Sequence, residues 1–102
     1  MMKKEENPLD LNKIIHERIR LGIMSALSTR ETMTFTELRE LLKTTDGNLS
    51  VHARLLEENG YIKSEKKFLD RKPLTVFRIT ATGKKEFMGY LSMLKGIIKQ
   101  LT

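Results

Sequence analysis

The chain has no cysteine, which excludes disulfide staples, thiolate metal sites and thiol redox sensing on chemical grounds alone. It also lacks any run of about 18 apolar residues, so no bilayer-spanning helix and no membrane partner are expected. The segment from Met1 to Glu6 is charged and has no apolar centre of the kind a secretory leader carries, so the chain reads as cytoplasmic. Aromatic residues are few, four Phe and two Tyr. Those on expected strands, Tyr61, Phe68 and Phe77, do not form the pattern on which RNA bases stack. The two histidines, His16 and His52, lie far apart, and Glu17 is expected to point elsewhere on its helix, so no metal set is indicated. No glycine-rich phosphate loop and no convergent set of activated groups occurs. The chain therefore calls for no cofactor and is expected not to be an enzyme.

What remains is enough for one domain, since 102 residues fill one core and not two. A hydrophobic fraction of 39% beside 31% charged residues is ordinary for a soluble globular protein. The formal charge is +6 and the isoelectric point is near 9.7, which favours a polyanionic partner where the charge is clustered.

Residues 1–10 read as a flexible head, with Pro8 suited to a first helical turn. Leu11, Ile14, Ile15, Ile19, Ile23, Met24 and Leu27 then recur at spacings of three and four, which predicts a helix from Leu11 to Leu27 with one buried face. A break between Ile15 and Ile19 is compatible with this spacing. Gly22 weakens that helix by roughly 1 kcal/mol against Ala and marks a candidate close crossing. Met33 to Phe35 suit a very short strand before Thr36 caps a helix from Glu37 to about Lys43, with Leu38, Leu41 and Leu42 as its buried stripe. Thr44, Thr45 and Asp46 offer caps for a third helix over about 46–59, which stops at Gly60, the natural left-handed residue past a helix end. Tyr61 to Lys63 lead into a charged strand, Arg71-Lys72-Pro73 breaks it, and Leu74 to Ile79 form the second strand of a hairpin. Thr80-Ala81-Thr82-Gly83 closes the hairpin and caps a last helix.

This order predicts an α+β winged helix-turn-helix: a three-helix core, a two-stranded β-hairpin wing and a C-terminal helix. The runs Thr36-Glu37-Leu38-Arg39-Glu40-Leu41-Leu42 and Gly47 to Ile62, with Asp70-Arg71-Lys72-Pro73 and Thr80 to Gly83, resemble bacterial and archaeal winged-helix regulators of the MarR-like and ArsR-like families. The resemblance spans about residues 15 to 100 and is closest to the small single-domain MarR-like members. It implies a dimer with paired terminal helices, recognition helices in successive major grooves and wing arginines in the flanking minor groove. No metal site is carried over from the ArsR-like side. Larger MarR-like regulators hold an effector between the terminal helices and the DNA-binding lobe; whether this chain takes one is left open.

On the third helix, Leu49, Ala53 and Leu56 share one face, which turns Asn48, Val51, Arg54 and part of Ser50 outward. Asn pairs with adenine and Arg with guanine in bidentate fashion, and Val51 suits a thymine methyl. His52, beside the core stripe, reads as a semi-buried packing residue. In the wing region, about 63–75, Lys63, Lys66, Lys67, Arg71 and Lys72 outweigh Glu65 and Asp70, and Arg71 at the tip suits a narrow minor groove. Thr36 and Thr45, at helix starts, are candidates for holding phosphates.

The last helix carries Phe87, Tyr90, Leu91, Leu94, Ile97, Ile98 and Leu101 on one face, too long a stripe for a small domain to cover, and these are the expected dimer residues. The expected division is a DNA-binding region over 11–82 and a dimerisation helix over 83–102 of the same domain. The expected function is sequence-specific binding of double-stranded DNA as a homodimeric transcriptional regulator. The alternative is a winged-helix module for protein–protein contact.

Overall fold

The computed structural model describes Asn7 and residues 10–102. Pro8 and most of the segment 1–10 lie outside the described residues. The elements run α1 (Arg18–Thr29), β1 (Met33–Thr34), α2 (Phe35–Leu42), α3 (Asp46–Glu58), β2 (Ile62–Leu69), β3 (Lys72–Ile79) and α4 (Ala81–Leu101). The strands form one antiparallel sheet in the order β1-β3-β2, which makes the fold the expected winged helix.

The first helix starts seven residues later than the apolar spacing predicts. The side-chain carbonyl of Asn12 accepts from the amides of Ile14 at 2.8 Å and Ile15 at 3.1 Å, a local turn that competes with helix. Glu17 then caps α1 by accepting from the Arg20 amide at 2.8 Å. Leu11 and Ile15 are buried nonetheless, so their spacing recorded burial and not helical conformation. Gly22 does sit at a crossing: Leu42 of α2 lies where a Cβ on residue 22 would be 2.7 Å from it.

The second helix also starts earlier than expected, at Phe35, because Thr34 and not Thr36 is its cap. The Thr34 hydroxyl accepts from the Glu37 amide at 3.1 Å while the Glu37 carboxylate accepts from the Thr34 amide at 2.9 Å, a reciprocal capping box. The Thr34 amide, and after it the Thr34 hydroxyl, hold the Glu37 carboxyl below its ordinary range. With this start Leu38 is buried and Leu42 half-buried, but Leu41, expected in the stripe, is exposed.

The α3 boundaries follow the sequence. Thr45 caps it by accepting from the Asn48 amide, and its end is a Schellman motif, with the Gly60 amide donating to Glu57 and the Tyr61 amide to Leu56. Gly60 has φ +76°, which favours glycine.

The hairpin turn is shorter and further forward than the break expected at Arg71-Lys72-Pro73. Asp70 and Arg71 alone form it, with φ of 51° and 66°, the left-handed pair that a two-residue turn needs to match strand twist. Lys72 and Pro73 are therefore in β3, opposite Leu69 and Phe68. Proline is tolerated because the pair beyond the closing one makes no ladder bonds, so its nitrogen faces away from β2. On that side β1 reaches only as far as Val76 and Phe77.

A single core joins α1, α2, α3, the base of the sheet and the start of α4, with Ile15, Ile23, Met24, Leu27, Leu38, Leu49 and Leu56 fully buried. Gly83 in α4 packs so tightly that an added Cβ would lie 2.0 Å from the Tyr61 carbonyl oxygen, whereas at Gly89 it would meet nothing within 4 Å. Gly83→Ala is expected to destabilise by at least the upper end of the roughly 1–3 kcal/mol that overpacking costs. Gly89→Ala should stabilise by up to about 1 kcal/mol through helix propensity. Chemical denaturation followed by circular dichroism checks the pair; a wild-type midpoint for Gly83→Ala would refute the close packing of this corner.

Candidate nucleic-acid interface

The helix-turn-helix is fixed before any partner arrives. Lys43 takes the left-handed conformation, φ 51°, and the Lys43 and Thr44 amides donate to Glu40 and Arg39, which ends α2 and redirects the chain. Across the turn the Arg39 guanidinium donates to the Asp46 carboxylate at 2.7 Å. That hydrogen bond, and then the Asp46 charge, raise the affinity of Arg39 for its proton.

Leu49, Ala53 and Leu56 anchor α3 in the core, and Asn48, Ser50, Val51 and Arg54 are exposed, Val51 at 65%. This is the outward set that helical spacing predicts. His52 is partly buried, as expected, but in a polar setting that the sequence did not reveal. Its Nδ1 lies 2.8 Å from the Arg20 guanidinium, which can only donate, so Nδ1 accepts. Glu17, expected to point elsewhere, lies with its carboxylate 3.5 Å from the same nitrogen. The reason is that Glu17 is a cap outside the helix, and the helical directions assumed for it do not apply.

The wing is tied to α3 at its base. The Ser64 hydroxyl donates to the Glu57 carboxylate, with oxygens 2.9 and 3.1 Å away, and the Ser64 amide donates to it at 3.3 Å. Residues two apart in a strand share a face. Ser64, Lys66 and Phe68 are thus on the α3 side, with their cross-strand partners Phe77, Thr75 and Pro73. A groove between α3 and the wing is lined by Ser50, Arg54, Glu57, Ser64, Lys66 and Thr75. The structure therefore brings Ser50, Arg54 and Lys66 together. Lys67 and Lys72 are on the opposite face of the wing, and Arg71 is at the tip. Thr45 is exposed at the start of α3, its hydroxyl engaged by Asn48; Thr36 is exposed in the first turn of α2 without being its cap.

The expected dimer stripe divides in two. Phe87 and Tyr90 are taken up by the core of the single chain, where His16 Nδ1 is 2.7 Å from the Tyr90 hydroxyl and burial raises the Tyr90 phenol above its ordinary value. Leu94 and Ile97 are partly buried, and Leu91, Ile98 and Leu101 are exposed. Among the described residues no helix is long and apolar enough to cross a membrane.

Sequence reasoning passed over Thr75, the Glu57–Ser64 tie and Phe68. Strand alternation counted outward from buried Ile62 was the signal that places Ser64, Lys66 and Phe68 together.

The chain is 34% identical over 79 residues to an uncharacterized protein of Methanocaldococcus jannaschii, covering 78% of this chain and 86% of that one. Its structure is similar to that of a transcriptional regulator homologue from Pyrococcus horikoshii, with 42% identity, a TM-score of 0.81 and coverage of 86% and 87% of the two chains. A MarR-like transcriptional regulator from Thermotoga maritima shares the fold at 23% identity and a TM-score of 0.59, over 97% of this chain and 66% of that one. Residues 19–98 match the family model described as the winged helix DNA-binding domain, and the chain belongs to that family.

Proposed function

We propose that the chain is a sequence-specific, double-stranded-DNA-binding transcriptional regulator that acts as a homodimer. The observation that carries this reading is the outward face of α3, where Asn48, Val51 and Arg54 are exposed beside a groove whose far wall holds Lys66. In this reading α3 enters the major groove, Asn48 and Arg54 meet base edges, and Val51 meets a thymine methyl. Lys66, with Ser50, holds the phosphates that pass between helix and wing. Arg71 reaches the minor groove, and Lys67 and Lys72 supply charge from the back of the wing. Thr36 and Thr45 present the starts of α2 and α3 to further phosphates. The role is binding and not catalysis.

Homodimerisation is assigned to Leu91, Leu94, Ile97, Ile98 and Leu101 on the part of α4 beyond Tyr90. These side chains leave an apolar surface that the single domain does not cover.

Selection from random duplexes at about 50 and 200 mM salt, a range over which several phosphate contacts cost orders of magnitude in affinity, tests the reading. A palindrome with half-sites about one helical turn apart is expected. No enrichment and no duplex affinity would put protein–protein contact in its place. Asn48→Ala should relax choice at one base position by about 1–3 kcal/mol, and Arg71→Ala should weaken binding to most duplexes and flatten its salt dependence. Leu94→Glu should give a monomer in sedimentation, because association would bury an unpaired charge. A Leu94→Glu dimer would remove α4 as the interface.

A further inference from the structure

The largest strongly exposed apolar side chain among the described residues is that of Phe68, a residue 76% exposed near the tip of the wing. Its neighbour Leu69 is 63% exposed. A large aromatic held in water on a hairpin contributes little to folding, and such a patch ordinarily marks a contact surface. Here the apolar tip is surrounded by Lys66, Lys67, Arg71 and Lys72 against the single carboxylate of Asp70, so its net charge complements a polyanion and opposes docking on a basic surface.

Strand alternation separates the two apolar residues. Ser64 is bonded to Glu57 of α3, Lys66 lines the groove beside α3, and Phe68 is the next residue on that same face. Leu69 is on the opposite face with Lys67, Leu74 and Lys72. Phe68 therefore points to the side on which a duplex engaged by α3 would lie, and Leu69 points away from it. Pro73, its cross-strand partner, stands beside Phe68 on the same face. The closing Leu69–Lys72 pair alone separates the Phe68–Pro73 pair from the tight turn at Asp70-Arg71.

We propose that Phe68, backed by Pro73, is an apolar wedge that enters the DNA minor groove beside Arg71 and partly unstacks a base step there. The proposal rests on the duplex-DNA reading above. Apolar side chains used in this way kink the duplex, and they favour pyrimidine–purine steps, which unstack most readily. Phe68 thus adds selectivity at a flanking step without a hydrogen bond to any base. The arginine at the tip supplies attraction to the phosphates, and the ring supplies the preference for deformable sequence.

The test uses the whole 102-residue chain and a duplex taken from the selection, with 2-aminopurine placed in turn at each flanking step and donor and acceptor dyes on the two ends. Wild type is expected to raise 2-aminopurine fluorescence several-fold at one flanking step and to shorten the end-to-end distance. Phe68→Ala should abolish both signals and lower affinity about tenfold, Phe68→Leu should keep most of each, and Leu69→Ala should behave as wild type. Both positions are exposed, so a circular dichroism spectrum identical to wild type is expected for every variant. Wild-type binding without an unstacking signal would overturn the wedge, as would equal effects of Phe68→Ala and Leu69→Ala. So would a Phe68→Ala variant altered only in sedimentation, which would make a second copy the occupant of the tip. In those cases Asn48-dependent binding would leave the DNA reading standing, whereas no duplex affinity in wild type would defeat both.

Discussion

Tyr61 is the residue on which the parts of this domain converge. Its amide closes the Schellman motif of α3 by donating to Leu56 at 3.0 Å. Its carbonyl accepts from the Thr80 amide at 3.0 Å, and the Thr80 hydroxyl donates to the adjacent Gly60 carbonyl at 2.6 Å, which fixes where the hairpin ends and α4 begins. Its phenol accepts from the Asn12 side chain at 2.9 Å, and so anchors the segment that precedes α1. A backbone group that serves two elements leaves no space between them, and this is why residue 83 has no Cβ. Each bond is worth only about 1 kcal/mol, but all three act on one residue and none can move alone.

The geometry of α3 and the wing inherits this rigidity through two smaller ties. Arg39 and Asp46 brace the turn between α2 and α3, and Glu57 and Ser64 brace the angle between α3 and the wing. Both pairs are exposed, so their value lies in orientation more than in stability. They also manage charge. Asp46 is favourable at the positive end of the α3 dipole but would repel a phosphate, and Arg39 offsets it. Glu57 faces the groove between Arg54 and Lys66, and its oxygens are occupied by Ser64. Ser64 orients the Glu57 carboxylate without neutralising it, so one negative charge stays in the groove beside Arg54 and Lys66.

Legibility in the sequence followed the locality of the signal. The bounds of α3 were readable because Thr45 and Gly60 act within one turn of the residues they cap, and the outward position of Asn48, Val51 and Arg54 followed from them. The start of α1 was not, because Asn12 makes an alternative local bond that an apolar pattern does not register. Thr34 and Thr36 are both plausible caps by type, and only the reach of Glu37 back to the Thr34 amide distinguishes them. The wing turn was misplaced because its two left-handed residues are Asp70 and Arg71 where glycine or asparagine would have announced it, and because Pro73 reads as a breaker unless the absence of a neighbouring strand is known. In the site, Lys67 and Lys72 were grouped with Lys66 by sequence proximity alone. The register of β2 and β3 places Lys66 on one face and both Lys67 and Lys72 on the other.

The division of α4 has the largest consequence for the proposed dimer. Up to Tyr90 the helix belongs to the core, held by Gly83 against Tyr61 and by Tyr90 against His16. Beyond it the helix continues to Leu101, a length of roughly 16 Å at helical rise, with an apolar face partly uncovered. A helix clamped at one end and paired at the other transmits orientation, because its two halves are one rigid rod. In such a dimer the spacing between the two α3 helices is set by the Thr80–Gly83 corner and by the register of the paired α4 segments. The palindrome length that such a dimer would read is then a property of the Tyr61 corner as much as of any residue proposed to touch a base.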